Sequence, residues 1–184
     1  ANDLFLTIFK GSAGSGSRFV EDPTMQLKML IIPELKLQIF LEQNRLRVEK
    51  QIMEESDKDD LVTRAYEVFK VLFNDEEVQA IGFNLDFIYR SRETLDGSQF
   101  FSRIIDIHGY GGKNLRYFGV QFTFDESGGK KLHTHFIKIV SPLEIAMHYN
   151  RHLFVSGLPK EADVKKWWEE AYLYPDKVVQ TIII

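Results

Sequence analysis

After Asn74 the apolar residues change their spacing from the period of a helix to that of a strand. This switch limits the folds open to the chain more than any other feature. Before it, Leu61, Ala65, Val68, Phe69, Leu72 and Phe73 recur every three or four residues, one stripe of an amphipathic helix. Ser56, three residues ahead of Asp59, supplies a helix-start signature, and Asp60, Arg64, Glu67 and Lys70 hold the solvated side. After the switch, Ile81, Phe83, Leu85, Phe87 and Tyr89 alternate with Gly82, Asn84, Asp86 and Arg90, the pattern of a long half-buried strand.

The same alternation recurs on both sides. Met25, Leu27, Met29 and Ile31 read as a strand that Pro33 ends, because proline cannot donate to a ladder. Leu35, Leu37, Ile39 and Leu41 resume it, residues 42–45 make a turn, and Leu46 and Val48 begin the return. Phe118, Val120, Phe122 and Phe124 lead through Asp125-Glu126-Ser127-Gly128-Gly129 into a strand from Lys131 to Val140, the strongest hairpin signal in the chain. Residues 3–10 and 144–155 also read as extended, and 100–105 as a short helix. Val164, Trp167, Trp168, Ala171 and Tyr172 mark a second amphipathic helix that starts after Pro159; Pro175 is expected to end it, with a last strand over 178–184.

These elements predict an α+β fold: mainly antiparallel sheet with two main amphipathic helices packed on one face. Phe69, Phe73, Trp167 and Trp168 belong to its core. Strand, strand, helix, strand occurs twice, over 24–92 and 115–184, which points to an internal β-β-α-β duplication. The whole chain, 1–184, is expected to form a single domain. Residues 11–17, Gly-Ser-Ala-Gly-Ser-Gly-Ser, have the composition of an engineered flexible linker that replaces a longer loop.

With no cysteine, disulfides, thiolate catalysis and Cys-ligated zinc are excluded. The net charge of −4, with Lys and Arg scattered among acidic residues, predicts no nucleic-acid partner. No apolar run reaches the roughly 18 or more residues that span a bilayer, and the first ten residues lack a signal-peptide pattern. A soluble cytoplasmic protein with no membrane partner is the expectation.

Motifs that would name a reaction are missing: there is no GxSxG elbow and no HExxH helix. Gly111-Gly112-Lys113-Asn114 lacks the upstream glycine and the following Ser/Thr of a phosphate loop, so 108–113 reads as a flexible turn. The histidines alone offer chemistry. His133 and His135 share one face of their strand, and His148 and His152 share one face of theirs. If the two strands are neighbours and the faces coincide, the four imidazoles would hold a transition metal such as zinc. Gly82, Asn84 and Asp86 read as the wet side of the sheet.

The sequence thus leads to a non-catalytic protein-binding or assembly module without a cofactor. It is expected to self-associate as a homo-oligomer or to bind another protein, because the apolar end Thr181-Ile182-Ile183-Ile184 must be buried in the sheet or in a partner. The competing reading is a metal-dependent enzyme with a His-rich site on the sheet.

Overall fold

The computed structural model describes residues 16–42, 45–52, 58–73, 78–94 and 119–183. The strand expected over 3–10, most of the linker, the short helix over 100–105 and the Gly-rich turn over 108–113 lie outside the described residues. The fold is α+β with antiparallel sheet, arranged as two four-stranded sheets. The chain divides into two compact units, Ala1–Glu76 with Lys160–Lys165 and Glu77–Pro159 with Lys166–Ile184.

In the first unit β1 (Arg18–Asp22), β2 (Leu27–Ile32), β3 (Leu37–Glu42) and β4 (Arg45–Lys50) pair antiparallel in chain order. Pro33 opens a 3-10 turn, Pro33–Leu35, that reverses the chain through Lys36 at a left-handed φ of 51°. The Lys36 N–H donates to the Pro33 carbonyl at 2.9 Å. Alternate residues Leu30 and Ile32 of β2 and Leu37 and Ile39 of β3 meet Val68 of α1 (Lys58–Leu72) in a core whose buried side chains are aliphatic, with Phe19 packed against it. Full burial of each such side chain contributes about 1.5–3 kcal/mol. Phe40, of opposite parity to Ile39, pairs with Arg47, whose guanidinium lies 4.1 Å above its ring.

In the second unit the strand order is β5-β8-β7-β6, from β5 (Ala80–Arg90), β6 (Gly119–Glu126), β7 (Lys131–Ser141) and β8 (Glu144–Phe154). The expected hairpin joins β6 to β7, with Glu126 opposite Lys131. Its turn needs positive φ at Ser127, Gly128 and Gly129, and the Gly129 N–H donates to the Asp125 carboxylate. β8, paired on both sides, alternates completely: Ile145, Met147, Tyr149, Arg151 and Leu153 are buried while their neighbours are half-exposed. Ile137, Ile145 and Met147 form the core beneath it.

Strand β1 has no counterpart among the expected elements, and β2 buries Leu30 and Ile32 instead of the expected Met29 and Ile31. The largest difference from expectation is at the C-terminal element. Pro175 does not end the second helix, and residues 178–183 are not a strand: α2 runs without a break over Glu161–Ile183. The reason is the buried stripe. Val164, Trp168, Ala171 and Pro175 follow at steps of four, three and four, and all are buried. Pro175 forfeits the hydrogen bond to the Ala171 carbonyl but places its ring in the core, where it is almost wholly covered. Val178, one further step of three, packs against the Ile137, Ile145 and Met147 cluster. Two consequences follow. The second strand, strand, helix, strand series has a helix where its last strand was expected, and the first series ends in β5, which pairs with β8 rather than with β4. The terminal apolar strand that motivated self-association does not form.

Among the described residues no helix is long and apolar enough to cross a membrane.

Candidate functional site

The chemistry-bearing side chains of the second unit lie on the two faces of β5-β8-β7-β6. Pairing decides which face each one takes. His133 of β7 stands opposite Arg151 of β8, and His135 opposite Tyr149, so odd-numbered residues of both strands share the inner face. His148 and His152 stand opposite Phe136 and Leu132 on the outer face. The expected pairs are therefore correct within each strand, and the two strands are neighbours. The sheet nevertheless separates His133 and His135 from His148 and His152, and the four imidazoles do not converge.

The inner face holds a closed polar cluster. A carboxylate can only accept, so His133 Nε2–H donates to Glu126 Oε2 at 3.0 Å. In the neutral ring that leaves Nδ1 to accept from the Tyr149 hydroxyl at 2.8 Å. The His133 Nε2–H bond and the nearby Lys131 ammonium hold the Glu126 carboxyl below its usual range. Tyr149 is fully buried, and burial pushes its phenol far up. The result is a line of hydrogen bonds from an exposed carboxylate to a phenol that no substrate can reach.

His135 is 0% exposed, and among the described residues neither of its ring nitrogens has a hydrogen-bond partner. It lies among rings: Phe122 at 5.0 Å, Tyr149 at 4.8 Å and Tyr174 of α2 at 5.5 Å between centroids. Desolvation first, and the neighbouring His133 second, bring its pKa down to about 4. Next along β8, the buried Arg151 donates through Nη1 to the Trp167 carbonyl at 2.9 Å and through Nη2 to Glu170 Oε2 at 2.7 Å. The bond from Arg151 holds the Glu170 carboxyl below its usual range.

The outer face is open. Gly82, Asn84 and Asp86 are exposed, as the sequence led us to expect. Thr123, Thr134, Asn150 and Asn84 form one row across all four strands. Thr123 and Thr134 share a hydrogen bond at 3.0 Å, and Asn150 Nδ2 donates to Asn84 Oδ1. One row along, His148 Nδ1 bonds Asp86 Oδ1 at 2.9 Å. Apolar side chains flank these rows, Ile88 near one end of the face and Phe154 near the other, 68% and 52% exposed.

Sequence reasoning missed Glu126, Tyr149, Arg151, Glu170 and Tyr174. A signal for two of them was present: Tyr149 and Arg151 continue the alternation of Ile145 and Met147 toward Leu153. No family model, curated protein or solved structure matches the chain.

The four histidines do not form one group, because the sheet separates the two pairs. Both nitrogens of His133 are engaged by Glu126 and Tyr149. Among the described residues no three His, Asp or Glu side chains are grouped to hold a metal ion.

Proposed function

We propose that the chain is a non-catalytic protein-binding or assembly module that associates with its own kind through the second sheet. The observation that carries this reading is the open side of that sheet, which leaves Ile88 and Phe154 exposed beside hydrogen-bonding rows. The mixture suits a protein partner: apolar area to bury, with polar groups that fix orientation. Its extent suits one too. Strands of eleven residues at about 3.3 Å per residue, spaced about 4.8 Å apart, give a face of roughly 500 Å2. That is of the order of the ~800 Å2 per partner in a specific interface. The inner cluster favours no enzyme reading, since its phenol is sealed and its imidazoles are packed among rings.

Sedimentation velocity of the purified chain over the micromolar range tests the proposal. The expected result is a species of twice the monomer mass that dissociates on dilution. A monomer throughout, up to high micromolar concentration, would overturn it.

A further inference from the structure

The open surface of the second sheet includes an edge as well as a face. β5 is an edge strand, and its eleven residues have a backbone partner on one side only among the described residues. Which side is fixed by two bonds that continue the β5–β8 ladder. Val155 N–H donates to the Gln79 carbonyl at 2.9 Å, and Ser91 N–H to the Leu143 carbonyl at 2.8 Å. In an antiparallel pair the bonded positions alternate. Odd-numbered residues of β5 therefore bond to β8, and the even-numbered residues from Ala80 to Arg90 turn their N–H and C=O groups outward. The exposure of Gly82 is consistent with such an edge. This residue has no side chain, so its exposure is that of its backbone.

An unpaired edge of this length is a template for another strand. We propose, resting on the self-association reading above, that β5 pairs antiparallel with β5 of a second copy about a two-fold axis at Leu85. The two sheets then join into one of eight strands. Three features of the sequence select this partner and this register.

The first is parity. Only registers that oppose even residues to even residues let outward N–H and C=O groups meet, and the same registers keep inner face with inner face. The second is length. Leu85 is the middle residue of Ala80–Arg90, so an axis there pairs all eleven residues, whereas a shift of two leaves a pair unmatched at the ends. The third is charge and hydrogen bonding. With the axis at Leu85, Asn84 of one copy stands opposite Asp86 of the other, twice by symmetry. Within one copy Asn84 uses its carbonyl oxygen for Asn150, and Asp86 uses one carboxylate oxygen for His148. What remains is an amide donor on Asn84 and an acceptor oxygen on Asp86, which complement each other across the axis. An axis at Asp86 would instead oppose two carboxylates. On the inner face Phe83 meets Phe87 and Leu85 meets Leu85, so the apolar layer continues across the joint.

A charge exchange tests the geometry. Asn84→Asp opposes two pairs of carboxylates and is expected to weaken dimerisation about tenfold. Asn84→Asp combined with Asp86→Asn restores the wild-type apposition with the roles exchanged, and is expected to restore dimerisation. Both positions are exposed, so the urea midpoint of each variant at low protein concentration should match wild type and show that folding is intact. Sedimentation equilibrium reads the dissociation constants. A wild-type dimer that Asn84→Asp leaves unchanged, or that the double variant fails to recover, would overturn the edge pairing while self-association stands. A wild-type monomer would overturn both.

Discussion

Along β8, successive residues have opposite fates. Tyr149 and Arg151 are closed into the core and bonded to His133, the Trp167 carbonyl and Glu170, while His148, Asn150 and His152 face outward. The two faces contain similar chemistry: imidazole, carboxylate and amide or hydroxyl groups. They differ in what surrounds it. On the inner face a polar group that loses its partner has no water to turn to, so the network fixes the packing of α2 on the sheet. On the outer face the same loss is made good by solvent, so those side chains are free to be used by a partner. Changes on the inner face should therefore alter stability and leave association alone, and changes on the outer face should do the reverse.

Acid should separate the faces most strongly. His135 has its pKa lowered to about 4, so the folded chain holds it neutral where the unfolded chain protonates it near 6.5. A depressed folded pKa contributes stability that is fully present above the unfolded value and is lost as pH falls through the folded one. The groups facing His135 are His133 on its own strand, Tyr149 on β8 and Tyr174 on α2; none supplies a negative charge to offset protonation. Taken alone, this residue should cost about 3 kcal/mol of unfolding free energy between pH 7 and pH 4. The lowered Glu126 and Glu170 carboxyls add their own loss in the same direction, beginning at more acid pH. Urea unfolding across this range should show a steep decline in wild type that His135→Leu flattens, most clearly above pH 5. An unchanged slope in the variant would remove His135 as the cause.

The next effect comes from a residue at the surface. Glu170 is 45% exposed, yet it neutralises a guanidinium that is only 5% exposed. Glu170→Ala leaves Arg151 a buried cation with the Trp167 carbonyl as its remaining bond. Removing one member of a buried pair costs about 3–5 kcal/mol, and the solvent that reaches Glu170 reduces this to about 2 kcal/mol here. Arg151→Met on that background should recover most of the loss, since a methionine needs no counter-charge. Thermal and urea midpoints of the single and double variants decide it. A double variant no better than Glu170→Ala would show that Arg151 acts through packing instead.

These residues also mark how far the sequence could be read. Alternation identified β3, β5 and β6 because each has one face covered and one open, which is the condition that writes a period of two. In β2 the run of Met29, Leu30, Ile31 and Ile32 is apolar throughout, and the buried pair is Leu30 and Ile32, not Met29 and Ile31. Alternation also paired His133 with His135, and His148 with His152. It could not say whether the two pairs share a face, because that depends on the β7–β8 register, and a one-residue slip exchanges the faces. Arg151 was illegible for a different reason: a charged residue within a strand reads as outward, and its partner lies on a helix 19 residues further on. At Pro175 a local rule and a long-range pattern disagreed. Proline marks an end to a helix in isolation, but the buried stripe from Val164 to Val178 passes through it, and packing prevailed over the lost backbone bond.

The smallest effect compares two hydroxyls directly. Tyr149→Phe removes one oxygen from the inner face and leaves His133 Nδ1, buried beneath it, without its 2.8 Å partner. An orphaned buried acceptor costs about 1–3 kcal/mol, whereas the aromatic packing on His135 and Tyr174 is retained. A loss of about 1 kcal/mol is expected, because the His133 ring remains anchored by Glu126. Thr134→Ser on the outer face keeps the hydroxyl of the Thr123–Thr134 pair and deletes a methyl group from an exposed strand position. Its expected effect is below about 0.5 kcal/mol. Urea titrations of the two variants against wild type measure both. If Thr134→Ser proved as costly as Tyr149→Phe, the outer row would be part of what holds the sheet together, and its assignment to a partner would lose its physical basis.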